Sequence, residues 1–206
     1  KRLEDKGYGE EILTILNTNF ANISEVANEY GKFDFMMADL GVSSMQIDNP
    51  ERGFSYKTDG PLDLRLNPQK GVSAAERLKE LTREEFEGMM VENSDEPYAL
   101  EISRVVMSHL RKGKPVKTTK DLYNCIEEAL SFIPEKERKE AVKKSCQRTF
   151  QALRIDVNSE FEVLDRFLES LPDVLVSGGR VAILTFHSGE DRLVKKSFKK
   201  FLKQGV

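Results

Sequence analysis

Asp39 closes a short apolar run, Phe35 to Ala38, and its position makes it the first candidate for chemistry. A run of about four to eight apolar residues that stops at turn residues is typical of a buried strand in a parallel sheet. Open α/β sheets bind their ligands at the carboxyl ends of such strands. A carboxylate at this position would therefore face a ligand and accept hydrogen bonds from it.

His187 occupies the equivalent position after a second apolar run, Val181 to Phe186. If both strands are parallel, His187 and Asp39 lie at the same edge of the sheet. The imidazole is then either a hydrogen-bonded structural group or a group that orients a substrate. The other histidine, His109, falls late in a predicted helix, and we interpret it as structural or exposed.

A long polar loop follows Asp39, and its residues show neither a strand period nor a helix period. Long loops within a domain carry functional sites more often than not. The alternative is ordinary turn chemistry, since Asn49-Pro50 and Asp59-Gly60-Pro61 are turn signals. Within the loop, Asp63 and Arg65 either pair to fix the backbone or face a substrate.

The elements that must position these residues alternate between strand and helix patterns. Residues 1–6 resemble the end of a helix, and a strand at 12–16, a helix at about 21–30 and the strand into Asp39 predict a βαβ unit. Only helical patterns follow from about residue 73 to 146. A long helix from residue 157 that Gly178-Gly179 ends, a strand at 181–186 and a helix at 191–201 complete the chain. We therefore predict an α/β fold with a Rossmann-like parallel sheet from residues 1–72 and 147–206 and an all-helical insert at 73–146.

The composition is that of a charged, non-membrane domain. Apolar residues make up 39% of the chain and charged residues 33%, and the net charge is −3. No apolar run approaches the roughly eighteen residues of a membrane span. The two cysteines, Cys125 and Cys146, form neither a disulfide framework nor a metal-binding spacing. We therefore predict a cytoplasmic protein without a metal site.

Three motifs resemble one family closely. They are Asp39-Leu-Gly-Val-Ser-Ser-Met-Gln46, Glu51-Arg-Gly-Phe-Ser55 and Asp59-Gly-Pro-Leu-Asp-Leu-Arg65, and in this order they are similar to the RsmH (MraW) methyltransferases. Two later stretches, Arg148 to Asn158 and Gly178 to Arg192, agree with that family. The resemblance covers essentially the whole chain. It implies a class I, S-adenosylmethionine-dependent enzyme that methylates the N4 amine of a cytidine in the decoding region of bacterial 16S rRNA.

The resemblance also assigns roles to individual residues. Phe20, Asp39 and Gln46 match residues that contact the cofactor in the family. Asp39, Asp63 and His187 are our candidates for catalysis, as acceptors or orienting groups for the target amine. Our candidates for contacts with RNA are Arg65, Arg148, Arg154 and Asn158. The last three are predicted to start the long helix, where a helix N-terminus would attract an anion.

Basic residues cluster at 111–120, 136–148 and 192–203, and they predict a path for RNA phosphates. The partner would be 16S rRNA or the small ribosomal subunit, with the protein a monomer or a homodimer. Two alternatives stay open: a non-catalytic RNA-binding adaptor, and a paralogue with another RNA or DNA target. The family's glycine-rich cofactor loop and its C-terminal end have no counterpart here, so we expect a fragment of a longer enzyme.

Overall fold

The computed structural model describes residues 4–9 and 11–205. The helix tail predicted at 1–6 lies partly outside these residues, and Glu4–Lys6 form a 3-10 turn. Two further 3-10 turns are Phe20–Asn22 and Pro50–Arg52. The elements in chain order are α1 (Ile23–Tyr30), β1 (Phe33–Asp39), α2 (Ser44–Ile47), α3 (Ala74–Glu80), α4 (Arg83–Ser94), α5 (Ala99–Arg111), α6 (Thr119–Ala129), α7 (Glu135–Asn158), α8 (Glu160–Val174), β2 (Leu175–Leu184) and α9 (Ser188–Gln204).

The strands β1 and β2 pair in parallel, and Asp39 lies beside Leu184 at their carboxyl ends. The prediction that Asp39 and His187 share one edge of a parallel sheet is therefore confirmed. The predicted strand at 12–16 is wrong: this segment begins in a turn, in which the Ile12 and Leu13 N–H groups donate to the Gly9 carbonyl oxygen, and it pairs with no strand in the described part of the chain. A strand is stable only beside a partner, and Ile12 and Ile15 remain exposed.

One face of this sheet is covered and the other is not. Met36, Val181 and Ile183 pack against the apolar sides of α1, α8 and α9. On the opposite face Phe35 is 59% exposed and Met37 is 63% exposed. The expectation of a strand buried on both faces is thus wrong for β1, because helices of the described chain cover a single face.

A second and larger core joins helices α3 to α7. Its buried members include Phe86, Ile102, Leu122 and Leu153, and the loop residues Leu62 and Leu64 pack into it. The loop after Asp39 is therefore anchored to the helical core on one side while its start remains at the sheet. This connection fixes the loop relative to the strand ends.

The boundary predicted at 146/147 falls within α7, which runs without a break from Glu135 to Asn158. One buried apolar stripe that includes Cys146, Phe150 and Leu153 runs from Val142 to Ile155, across the predicted boundary. The highly charged first turns hid that continuity in the sequence. The next helix, α8, starts after Ser159, whose φ of 48° places it in the left-handed region and turns the chain.

Gly178-Gly179 do not end a helix as predicted. Helix α8 already ends at Val174, and the pair lies within β2, where Gly178 has a φ of 82°. The register between the two strands shifts between Phe33 and Phe35, and a glycine with positive φ accommodates such an irregularity. None of the described helices is long and apolar enough to cross a membrane.

Candidate functional site

A cavity of about 320 Å³ opens at the carboxyl end of β1. The end of the strand and the residues after it, Asp39, Leu40 and Gly41, form one wall. The Leu40 N–H donates to the Leu184 carbonyl oxygen at 3.3 Å, which continues the pairing past Asp39. The remaining lining residues are Asn19, Phe20, Ala38, Leu66, Asn158, Glu160, Val163, Leu164 and Glu190.

Phe20 lies where a flat ligand could stack. Its ring meets Phe167 edge-to-face, with centroids 5.4 Å apart, while 41% of the residue stays exposed. Phe20 is thus held against α8, and it also lines the cavity. This geometry suits contact with an aromatic ring system.

Three carboxylates, those of Asp39, Glu160 and Glu190, share this cavity. Glu160 forms a bidentate ion pair with Arg154, with N–O distances of 2.8 and 2.9 Å. Both side chains of this pair are 14% exposed. Asp39 has no such partner among the described residues, so it is the carboxylate that remains available to a ligand.

Glu190 is almost completely buried and accepts a hydrogen bond from the Phe186 N–H at 2.8 Å. Burial alone would raise its pKa. The pKa is nevertheless lowered, because the His187 ring, the Phe186 N–H and the Arg154 charge all favour the carboxylate. The ionised Glu190 therefore adds negative charge to the cavity wall.

His187 lies behind Glu190 rather than in the cavity lining. Its Nε2 is 3.3 Å from Glu190 Oε1, and its ring is 6.0 Å from that of Phe161. Both ring nitrogens are buried, and neither has a well-oriented hydrogen bond within the described part of the chain. His187 therefore contacts Glu190 and does not line the cavity itself.

Glu160, His187 and Glu190 offer ligand atoms within 4.8 Å of one another, a spacing that a cation could bridge. However, Arg154 already neutralises Glu160, and the Phe186 N–H occupies one oxygen of Glu190. Part of the ligand capacity of these carboxylates is therefore used by Arg154 and by the Phe186 N–H.

Asp63 and Arg65 form a bidentate pair in the loop, with N–O distances of 2.9 and 2.7 Å. Burial would raise the pKa of Asp63, but hydrogen bonds and charge from Arg65 outweigh this effect and the pKa is lowered. Arg65 also donates to the Gly71 carbonyl oxygen at 3.1 Å. Leu64 between them has a φ of 62°, a left-handed conformation that the pair holds in place. Neither side chain lines the cavity.

Asn158 joins the same loop to the end of α7. Its Oδ1 accepts from the Leu66 N–H at 2.6 Å, and its Nδ2 donates to the Leu64 and Arg154 carbonyl oxygens at 2.8 Å each. The prediction that Arg148, Arg154 and Asn158 start a helix is wrong, because they lie in the second half of α7. A helix N-terminal anion site therefore does not exist at these residues.

Gln46 is placed in the short helix α2, a few residues beyond Gly41. Its Oε1 accepts from the Ser43 N–H at 2.9 Å, and its own N–H donates to Ser43 Oγ at 3.4 Å, which forms a capping box. Gln46 is half-buried and does not line the cavity.

Sequence reasoning missed Glu160 and Glu190 as members of the site. Glu190 follows the end of the second strand by a few residues, so its position in the chain could have identified it as a residue of the site. Glu160 is brought to the cavity by the turn at Ser159, and nothing in the local sequence indicates that turn.

Comparison with known proteins gives a consistent result. A family model described as the MraW methylase family matches residues 1–206. Ribosomal RNA small subunit methyltransferase H 1 of Lachnoclostridium phytofermentans is 65% identical over 206 residues, which cover 100% of this chain and 56% of that protein. Ribosomal RNA small subunit methyltransferase H 2 of Alkaliphilus metalliredigens and methyltransferase H 1 of Agathobacter rectalis are each 62% identical over the whole chain and 59% of their own length. The chain thus spans little more than half the length of these curated relatives.

Proposed function

Because the chain belongs to the MraW methylase family, we propose that the whole protein methylates the N4 amine of a cytidine in the decoding region of 16S rRNA. The cofactor would be S-adenosylmethionine, and the substrate free 16S rRNA or the small ribosomal subunit. Such a substrate implies a cytoplasmic enzyme, either a monomer or a homodimer. The proposal includes a Rossmann-like class I sheet, of which β1 and β2 are part, with α3 to α6 as the substrate-recognition unit.

The observation that carries this proposal is the acidic cavity at the strand ends. S-adenosylmethionine carries a positive sulfonium and a positive ammonium group, and an amine that accepts a methyl group becomes positive. Asp39, Glu160 and Glu190 supply negative charge on the walls of one cavity. The donor set therefore fits the cofactor, and Phe20 offers a ring against which an adenine could lie.

The bound cofactor supplies the methyl group, and the chain's own residues align the acceptor. Asp39 is exposed at the strand end and would accept a hydrogen bond from the target amine, which directs the nitrogen lone pair. Alignment of two reactants in this way can lower a barrier by several kcal/mol. Gln46 belongs to this proposal as a cofactor contact that follows Gly41. The target base must leave its stack to reach the cavity.

The remaining candidates divide into positioning groups and an RNA contact. Asp63 and Arg65 would hold the loop in shape, while Arg154 and Asn158 would hold Glu160 and the loop at the cavity. His187 would position Glu190. Arg148 is half-buried on α7 and remains our candidate for a contact with RNA.

The experiment uses the full-length protein with labelled S-adenosylmethionine and small ribosomal subunits from a strain that lacks the gene. Mass spectrometry of the digested rRNA then identifies the modified nucleoside. We expect N4-methylated cytidine at one position. Label on another nucleoside, or no transfer to RNA despite cofactor binding, would replace the proposal with a different target or with an RNA-binding adaptor.

A further inference from the structure

Helix α9 carries an unusual concentration of positive charge. From Arg192 to Gln204 it contains six basic residues and no acidic residue, in a chain whose net charge is −3. They line one shallow groove along the helix, together with Gln204: Arg192, Lys195, Lys196, Lys199, Lys200 and Lys203. We call this surface the α9 basic stripe.

The stripe is costly for the helix itself. Lysines three and four residues apart, such as Lys196, Lys199 and Lys203, are neighbours on a helix surface, and like charges at this spacing destabilise it. Ion pairs relieve part of the charge, with Lys195 at 2.8 Å from Asp191, Arg192 near Asp95 and Lys200 near Glu169. Lys196, Lys199 and Lys203 have no ionic partner within the described ranges, so their charge is available to an anionic ligand.

The first turns of α7 show what an ordinary solvated face looks like. Lys136, Lys139 and Lys143 have the same spacing and are equally exposed. Glutamates are interleaved with them, and Lys143 lies 3.9 Å from Glu140. Lys136 and Lys139 also lack a close ionic partner in the described part of the chain, so the difference lies in the neighbouring sequence. Three glutamates lie among the basic residues of 135–144, whereas Arg192 to Gln204 contain no acidic residue.

The stripe also begins beside the cavity. His187 is the N-cap of α9, and Glu190 in its first turn lines the cavity. At a rise of about 1.5 Å per residue, Arg192 to Lys203 extends about 16 Å away from the strand ends. This length matches about five phosphates of one nucleic-acid strand at roughly 3.4 Å each.

Another groove, of about 860 Å³, has the opposite charge. Carboxylates from α3, α4 and the α7–α8 junction line it, and its one basic lining residue, Arg77, is already paired with Asp156 at 2.8 Å. The carboxylates in question are those of Glu80, Glu84, Glu85, Glu92, Asp156 and Glu162. RNA phosphates are repelled there, so the charge distribution directs a strand toward α9.

We propose that the α9 basic stripe binds the phosphates of the RNA strand that leads into the cavity, an inference that rests on the proposed function. Of the three basic clusters in the sequence, the proposal assigns phosphate binding to the one on α9. The proposal also assigns the contacts with this strand's phosphates to the unpaired lysines of α9, because Arg65 and Arg154 are occupied by Asp63 and Glu160. Arg148 stays a separate candidate for a contact with RNA.

The test compares two triple variants of the full-length protein. One is Lys196→Gln, Lys199→Gln and Lys203→Gln; the control is Lys136→Gln, Lys139→Gln and Lys143→Gln, which removes the same charge at the same spacing. Binding of a fluorescent 16S decoding-region RNA is titrated between 50 and 200 mM salt. Each single-strand phosphate contact changes the salt slope by about 0.7, which is roughly fivefold in affinity at 0.1 M salt.

We expect the α9 variant to lose about 2 from the salt slope and to bind RNA about 100-fold more weakly at 0.1 M salt. The control variant should bind like the wild type. Equal losses in both variants, or no loss in the α9 variant, would overturn the proposal. So would loss of binding to phosphatidylserine vesicles with RNA binding intact, since the stripe would then serve a membrane surface. Methyl transfer is measured separately, so the stripe can bind RNA even if the proposed reaction fails.

Discussion

Arg154 gives a sharp test, because the sequence suggested an RNA contact and the structure shows an ion pair. Its guanidinium binds both oxygens of Glu160, and both side chains are 14% exposed. Replacement by glutamine would leave the Glu160 carboxylate uncompensated. Breaking a fully buried pair costs about 3–5 kcal/mol and an exposed pair contributes about 0–1 kcal/mol. For this mostly buried pair we expect a loss of about 2 kcal/mol in the free energy of unfolding.

The assay is urea denaturation at pH 7 of four full-length proteins: wild type, Arg154→Gln, Glu160→Gln and the double variant. If the ion pair itself stabilises the protein, the double variant should lose at least about 1 kcal/mol less in the free energy of unfolding than the two single variants lose together. Arg192→Gln is the control, because Arg192 and Asp95 form an exposed pair and its loss should cost under about 0.5 kcal/mol. An Arg154→Gln protein as stable as the wild type would refute the reasoning and free Arg154 for RNA.

Three further predictions concern other parts of the molecule. Phe186 is 68% exposed and lies next to Gly41. Stacking of a base on one aromatic ring contributes about 1–3 kcal/mol, so Phe186→Ala should weaken binding of the flipped base and raise the KM for RNA roughly 10-fold. Phe132 is also exposed but is distant in the chain, so Phe132→Ala should leave the KM unchanged. Burial, and then nearby carboxylates, raise the pKa of Cys125 to about 11 and of Cys146 to about 12, so neither thiol should react with a disulfide reagent at pH 8 until urea is added. Because the pKa of Glu190 is lowered from its ordinary value of 4.5, its ionised form stabilises the folded protein above pH 4.5, and this stabilisation is lost as the pH falls through the lowered pKa. The difference in unfolding free energy between wild type and Glu190→Gln should therefore narrow below pH 4.5. A difference that widens there would contradict this account.

The strand ends could be predicted from sequence because their signal is local. Each strand core is a short apolar run, and Asp39 and His187 mark where the two runs stop. Parallel pairing then places both residues at one edge of the sheet, as observed. The apolar segment at 12–16 has a similar local pattern, but a strand also needs a neighbour, and that requirement is not visible in the segment itself.

The helix boundary predicted at residue 146 is wrong for another reason. The sequence analysis ends the helical insert at residue 146 and predicts a separate long helix from residue 157, and the composition changes from strongly charged to more apolar between them. In the structure the buried stripe of α7 continues through this change, and the break comes at Ser159 through its left-handed backbone. Periodicity across the change was a better guide than composition.

The pairing of charged residues could not be predicted, since it depends on the path of the chain. Arg154 and Glu160 lie on different helices and meet because of the turn at Ser159. The Asp63–Arg65 pair is closer in sequence, and it was one of two alternatives that the sequence left open. The structure shows the pair, with a left-handed Leu64 between its members.

Calorimetric titration of the full-length protein with S-adenosylmethionine tests the central claim, that the acidic cavity at the strand ends holds the cofactor. The variant Asp39→Asn removes the charge at the cavity, and Asp34→Asn removes the same charge from an exposed position nearer the other end of β1. A hydrogen bond to a charged group contributes about 1.5–3 kcal/mol, so we predict that Asp39→Asn binds roughly 10- to 100-fold more weakly and that Asp34→Asn binds like the wild type. Unchanged affinity in Asp39→Asn would contradict the account and place the cofactor elsewhere.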